Sequence, residues 1–293
     1  MSSPILVIGA LGNVGAEVIK QLLASGGALS SSKGNTVRAA DRVKEKIIEQ
    51  FGSSVESVRF DFTDPKTYEA TFKDVEKMFL LRPPHITNIK RDMVPAIDAA
   101  KRAGVKHVVF LSLIGIENAK YVPHYKVETY LQEVGLQTTF LRCSFFMQNL
   151  NTTHRKEIKE HNEIFVPVGN AKTSFIDARD IGAVAAVALT QAGHANKNYD
   201  LTGSEALDYW QATKILSEAL GREIKYKNPN PLYFFFETMR RGTPFMFALV
   251  MTGLYTSTRF GMAEPITDAV EKLTGRKPIT FREYANDYKE SWT

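Results

Sequence analysis

The sequence predicts an α/β fold: a Rossmann-type, doubly wound parallel sheet with a smaller, mostly helical C-terminal part. Three observations predict it. Short apolar runs alternate with helical stretches five times in the first half of the chain. The first run ends in glycines three residues apart, immediately before an amphipathic stretch. Polar or glycine-rich residues suited to ligand contact recur where these runs stop, and in a parallel sheet those stops share one edge.

The first element is a buried strand over 5–8, followed by Gly9-Ala10-Leu11-Gly12-Asn13-Val14-Gly15. A helix is expected from about Asn13, because Val14, Val18, Ile19, Leu22 and Leu23 recur at helical spacing until Gly26-Gly27 ends the run. A strand, a glycine turn and a helix form a phosphate cradle. Bare backbone approaches a pyrophosphate only where side chains are absent, and a helix N-terminus adds unpaired N–H groups and about half a positive charge. The stretch from Gly9 to Gly15 is therefore the expected dinucleotide site.

A Gly/Ser-rich loop over 26–35 leads to a strand over 37–40 that stops at Asp41-Arg42, where such a fold meets the adenosine ribose. An acid there accepts from a free 2′-hydroxyl, and an arginine binds a 2′-phosphate. Arg38, Lys44 and Lys46 add positive charge, which tips the expectation to NADP with NAD as the alternative. The third strand, over 55–60, leads to Asp61-Phe62, placed for adenine, and Asp64-Pro65 opens a helix. A strand over 75–81 stops at Arg82-Pro83-Pro84, which continues neither sheet nor helix. A helix over 86–103, a strand over 106–113 with Ser112-Leu113 at its end, a helix over 124–133 and a strand over 136–142 follow. After them, Phe145 and Phe146 form an aromatic pair suited either to flank a nicotinamide ring or to pack in a core.

Beyond residue 149 the expected elements are a polar helix over 149–163, short strands over 163–168 and 172–176, a helix over 181–189, a strand over 199–201 and a helix over 206–220. The segment 229–255 is crowded with aromatics and methionines, suited to a pocket for a flat apolar molecule, a subunit contact or a helical mini-core. Two short helices, over 265–273 and 280–291, close the chain.

With 293 residues, 44% hydrophobic and 24% charged, the chain has room for one such sheet domain plus an appended part, and is neither disordered nor a disulfide scaffold. Its net charge of +5 is scattered rather than clustered, so nucleic acid is not an expected partner. Cys143 is the only cysteine, which excludes an internal disulfide and CxxC motifs; no metal site is expected, and Cys143 reads as a small buried side chain. The Met-Ser-Ser-Pro start lacks a secretory pattern, and the longest apolar stretch, over 244–255, is too short to cross a bilayer. A cytoplasmic monomer or homodimer without membrane attachment is expected.

The ordered blocks ILVIGALGNVG, FDFTDP, FLLRPP, HVVFLSLIG, HYKVETYL, VGLQTTFLRCSFFMQNL, SFIDARDIGAVAAVAL, YDLTGSEALDYWQATKILSEALGREIKY and ITDAVEKLTGRKPITFREYANDY span nearly the whole chain. Together they resemble the NmrA-like branch of atypical short-chain dehydrogenase/reductases. The resemblance implies an NAD(P)-binding domain over 1–150 that also receives about 171–203, and a substrate domain over 151–170 and 204–293. It implies cofactor contacts at the glycine turn, Arg42, Asp61-Phe62, Leu81 to Pro83 and Ser112-Leu113. It also implies hydride transfer from NAD(P)H to a flat conjugated acceptor such as a quinone, imine or enone. Two alternatives are a nucleotide-sensing regulator without turnover and an isomerase or cyclase that retains the nucleotide fold. The chain departs from the wider superfamily in lacking a Tyr four residues before a Lys, the usual proton-donating pair. His124 stands where isoflavone-type relatives carry a lysine, with Tyr125 and Lys126 beside it. These three are the catalytic candidates, with a structural role for His124 as the other reading.

Overall fold

The computed structural model describes residues 3–28 and 36–293. The chain divides into two compact units, one of residues 1–143 with 178–201 and one of residues 144–177 with 202–293.

The first unit is built on seven parallel strands: β1 (Ile5–Ile8), β2 (Val37–Asp41), β3 (Glu56–Arg59), β4 (Lys77–Leu80), β5 (His107–Leu113), β6 (Gln137–Cys143) and β8 (Lys197–Leu201). β7 (Glu163–Phe165) belongs to the second unit. The spatial order is β3-β2-β1-β4-β5-β6-β8, so the chain reverses its direction of growth between β1 and β4. Ligands of such sheets bind at that reversal, outside the carboxyl ends of the strands. The helices of this unit are α1 (Asn13–Ala28), α2 (Lys44–Phe51), α3 (Tyr68–Phe72), α4 (Ile89–Asp92), α5 (Val94–Arg102), α6 (Pro123–Glu133) and α8 (Ala178–Thr190).

β1 is buried along its whole length, as a central parallel strand covered on both faces must be. One core layer gathers Leu6, Ile8, Phe60, Phe72, Met78, Leu80, Met93, Ile97, Phe110, Val127 and Phe140. On the opposite side α1 packs against α8, where a Cβ on Gly182 would sit 2.8 Å from the Glu17 backbone. Glycine there lets the two helices touch.

Several boundaries differ from the expected ones, each for a local reason. α1 runs through the Gly26-Gly27 pair to Ala28, and the rest of the expected loop, residues 29–35, lies outside the described residues. The helix expected over 86–103 starts at Asn88, whose side chain accepts from the Arg91 amide, and breaks at Met93 because Pro95 has no N–H to continue the ladder. The opening at Asp64-Pro65 is a short 3-10 turn capped by the Asp64 carboxylate before α3 begins.

The second unit contains α7 (Arg155–His161), α9 (Tyr209–Leu220), α10 (Pro231–Arg240), α11 (Phe245–Thr258), α12 (Ala269–Thr274), α13 (Phe281–Asp287) and a two-stranded parallel pair, β7 (Glu163–Phe165) with β9 (Lys225–Lys227). The polar helix expected over 149–163 shrinks to α7. The strand expected over 172–176 leaves only isolated bridges, Phe146 with Ile176 and Thr173 with Leu207. The core holds Trp292, Tyr284, Phe281, Phe234, Tyr209 and Tyr255. The aromatic segment becomes α10 and α11, with Phe234 and Tyr255 buried but Leu232, Phe236, Phe245, Met246 and Val250 exposed. Among the described residues no helix is long and apolar enough to cross a membrane.

Gly182→Ala tests the contact between α1 and α8. Forcing a methyl against the Glu17 backbone is expected to cost about 1–3 kcal/mol, as overpacking does, and to lower the thermal midpoint by several degrees. An unchanged melt would mean that the helices separate without loss.

Candidate active site

The parallel sheet brings the carboxyl ends of β1 to β5 to one edge. The glycine turn sits at its centre. Gly9 has φ 76°, and its amide and that of Ala10 donate to the Ala40 carbonyl on β2 at 2.9 and 3.2 Å. Gly12 donates back to the Gly9 carbonyl at 3.0 Å. A Cβ on Gly15 would lie 2.1 Å from the Gly9 oxygen, so glycine alone lets α1 start this close to the strand. Leu81, just past β4, covers Gly9 from the side.

Asp41 completes the turn rather than facing outward. Its Oδ2 accepts from the Leu11 amide at 3.1 Å and its Oδ1 from the Arg42 amide at 2.8 Å. The amides of Asn13, Val14 and Gly15 then donate to no acceptor among the described residues. Gly12 and Asn13 are exposed, Val14 packs inward, and the first turn of α1 carries no acid. Unspent N–H groups, a helix dipole and no competing carboxylate are the features that favour a negative group at a helix N-terminus.

Farther along the edge, Arg42 is exposed at the head of α2 with Lys44 and Lys46. Arg38 is not part of this rim: it is buried, donates to the Thr71 and Lys73 carbonyls and pairs with Glu56 at 2.9 Å. The Asp61 carboxylate accepts from the amide and hydroxyl of Thr63, both at 2.8 Å. Burial works to raise its pKa, but those bonds and the charges of Arg42 and Arg59 outweigh it and hold it below the ordinary value. The Phe62 ring is buried edge-on against Phe60, and its carbonyl is taken by the Tyr68 hydroxyl, so what faces the edge here is Asp61.

Arg82, after β4, donates to the carbonyls of Pro83, Pro84 and Ile86 at 2.9, 3.1 and 2.7 Å. This stitches the proline loop closed. Its Nε faces His124 Nε2 at 3.5 Å, and the His124 ring lies beside Phe110. Burial pulls the guanidinium down to about 10. Burial, reinforced by Arg82, pushes the imidazole down to about 3, so His124 is neutral. With Nε2 turned to a donor, the ring proton is assigned to Nδ1, which is buried without a partner. Tyr125 is half-buried and Lys126 exposed on the same first turn of α6.

At the end of β5, Ser112 is buried and its hydroxyl donates to Glu128 on α6 at 2.5 Å; Glu128 in turn receives Arg142 at 2.8 Å. Ser112 therefore offers the edge its backbone rather than its hydroxyl, and Leu113 is the half-buried residue beside it. Cys143 is fully enclosed and burial drives its thiol pKa upward, which leaves it inert.

Phe145 and Phe146 belong to the second unit. Both are half-buried, Phe145 stacking on Tyr255 with centroids 5.8 Å apart. In this unit His154 is clasped between Glu157 at 2.6 Å and the Tyr255 hydroxyl at 2.5 Å. It lines a cavity of about 700 Å³ with Phe165, Phe234, Phe247, Met251 and Arg241. Among the described residues no group of three or more His, Cys, Asp or Glu side chains is placed to hold a metal.

A profile of the NmrA-like family matches residues 1–285. The chain belongs to the NmrA-like family. A curated relative in which this similarity extends end to end is the NAD(P)H azoreductase of Xenophilus azovorans, 33% identical over 287 residues covering 96% of each chain. Among solved structures, Citrobacter sp. triphenylmethane reductase complexed with NADP(H) has a TM-score of 0.81 at 24% identity, covering 97% of this chain and 99% of that one. The Escherichia coli NADPH-dependent quinone oxidoreductase complexed with NADPH has a TM-score of 0.83 at 23% identity, covering 97% and 99%. At these identities the two structures establish a shared fold.

The sequence pointed to the turn, Asp61 and Arg82, but not to the partnership of Arg82 with His124 or of Asp41 with Leu11. The available signal for the second was an acid at the end of the strand beside the turn.

The neutral His124 predicts a pH dependence. Unfolded, the ring titrates near 6.5; folded, near 3. Between these values the unfolded chain holds the extra proton, so stability falls as the pH is lowered through this window. His124→Gln removes that contribution, and its urea midpoint is expected to fall less steeply than wild type between pH 6.5 and 4. Parallel curves would mean that the ring is charged in the fold.

Proposed function

We propose that this protein is an NAD(P)H-dependent reductase of the atypical short-chain dehydrogenase class that reduces flat conjugated molecules of quinone, imine, enone or azo type. The observation that carries this reading is the glycine turn. Three unspent amides at the head of α1, free of any acid, fit a dinucleotide's diphosphate. The full-length likeness to an NAD(P)H azoreductase supports both the cofactor and the acceptor class.

In this reading Gly9, Leu11, Gly12, Asn13, Val14 and Gly15 form the diphosphate seat. Leu11 serves through its bond to Asp41, which shapes the turn. Arg42 binds the 2′-phosphate of NADP, Asp61 borders the adenine with the buried Phe62 ring packed behind it, and Leu81, Arg82, Pro83, Ser112 and Leu113 line the path beyond. The unit of residues 1–143 and 178–201 holds the nucleotide. The other unit, with its half-buried aromatic pair Phe145 and Phe146, takes the acceptor. Bound there, the nicotinamide supplies the hydride. The protein's own part is to orient both partners and exclude water. His124 is neutral and packs against Arg82, so it positions the loop rather than delivering a proton. The proton that completes reduction comes from solvent, or from Tyr125 or Lys126 at the head of α6.

A second reading is a nucleotide-sensing protein without turnover, favoured by the missing Tyr/Lys pair and the neutral His124. Stoichiometric oxidation of NADPH or NADH with a panel of azo dyes and quinones decides between them. Turnover is expected; tight nucleotide binding with no oxidation on any acceptor would favour the sensor.

Cofactor preference rests on Arg42. Calorimetry on Arg42→Ala is expected to show NADPH affinity reduced by about 1.5–3 kcal/mol, the worth of a charge-assisted contact, with NADH little changed. An unaltered preference would remove Arg42 from the phosphate.

A further inference from the structure

We infer that two copies of this chain form a two-fold dimer through the outer faces of α10 and α11, the two α11 helices crossing antiparallel at Gly253. The contact lies wholly in the second unit and is independent of the reductase reading.

The composition of α11 suits a covered helix. Its 14 residues, FMFALVMTGLYTST, include no charge, yet only Ala248, Tyr255 and Thr258 are buried. A helix that is apolar all round is ordinarily enclosed on every side. At helical spacing the three buried residues share one side, and Met246, Leu249, Val250, Gly253 and Leu254 fall opposite them. Four of these are large apolar residues, each 40–57% exposed. On α10, Leu232 and Phe236 are 72% and 61% exposed. Phe235 joins the two surfaces, its ring centroid 5.3 Å from that of Phe236 and 5.6 Å from that of Phe245 at the head of α11.

The size of this face fits a subunit contact. With Phe245 included, seven large apolar residues are about half exposed, and at ~200 Å² for each whole side chain they present on the order of 700 Å². The largest apolar patch of a typical monomer is about 300–600 Å². A standard interface covers about 800 Å² on each partner, a figure the face reaches with the half-buried Phe235 and Met239 beside it.

Gly253 selects a second copy as the cover. Glycine inside a helix is destabilising relative to alanine. Nothing within the chain requires it here, because its φ is not positive and a Cβ would meet no atom within 4 Å. A missing side chain at the centre of an apolar face instead lets another helix backbone come close. In a two-fold crossing centred on this residue, Leu249 of one copy meets Ser257 of the other, large against small. The Ser257 hydroxyl is spent on the Leu254 carbonyl at 2.8 Å, so it brings no unmet donor into the contact. A lipid surface fits less well. Helices that lie on membranes carry basic residues on their polar face. Here α11 has no charge, and Arg240 and Arg241 at the end of α10 are held by Glu237 at 2.7 and 2.9 Å.

Sedimentation velocity of the wild-type protein at micromolar concentration is expected to give twice the chain mass. Val250→Glu and Gly253→Leu, both at exposed positions, are expected to weaken dimerisation at least tenfold with circular dichroism unchanged. Leu249→Cys combined with Ser257→Cys in one chain is expected to yield a covalent dimer on mild oxidation, whereas neither single variant does; the enclosed Cys143 takes no part. A monomeric wild type overturns the inference, and binding of that monomer to phosphatidylcholine vesicles would assign the face to lipid instead. A dimer that survives both substitutions and resists cross-linking overturns it as well, because its contact lies elsewhere. Absence of NADPH oxidation on every acceptor bears only on the reductase reading, since mass and cross-linking are read without turnover.

Discussion

The contact on which the first unit depends is the backbone approach of Gly15 to the Gly9 carbonyl. With no Cβ between them, α1 begins almost on top of the strand that precedes it. The surrounding acceptors are then spent in fixing the turn: the Ala40 carbonyl takes two amides, the Gly9 carbonyl a third and the Asp41 carboxylate a fourth. What survives is a set of donors without acceptors at the positive end of a helix. On its far side the same helix is held by α8 through Gly182. The unspent donors are therefore a by-product of tight packing.

Charge along the rest of the edge follows from where the acids are used. Asp41 spends both oxygens on backbone amides, and Arg38 is drawn inward by Glu56 and two carbonyls. The competition that the sequence poses between Asp41 and Arg42 is thus decided by direction. The acid turns toward the turn, and the basic side chains of Arg42, Lys44 and Lys46 remain at the rim.

Much of this was legible because the signals are local. Glycine spacing, a buried apolar tetrad and the proline after Asp64 act within a few residues, and the turn and the strand ends follow from them. Failures came where local signals competed or distance intervened. Pro95 breaks a helix whose apolar pattern runs through it, and the Gly26-Gly27 pair failed to stop α1. Phe62 reads as an adenine neighbour, yet core packing claims its ring. Arg82 and His124 are separated by 42 residues, and Leu11 and Asp41 by 30. Only the closure of the sheet brings them together, and no window along the chain contains both partners.

The neutrality of His124 constrains the chemistry that such an edge can host. A phenol and lysine pair lets a short-chain dehydrogenase protonate an alkoxide as it forms, which makes simple ketones reducible. Here the imidazole is depressed by burial and by Arg82, and the pair is absent. In the proposed reductase, hydride transfer would then favour acceptors that take up the incoming charge in their own conjugated system and receive a proton afterwards from water or a weak acid. Quinones, iminium ions and azo groups do so; isolated carbonyls do not. In the proposed reductase the missing Tyr/Lys pair and the neutral His124 would themselves act as a specificity element, favouring acceptors by electron affinity, with the proton from solvent, Tyr125 or Lys126 following the hydride.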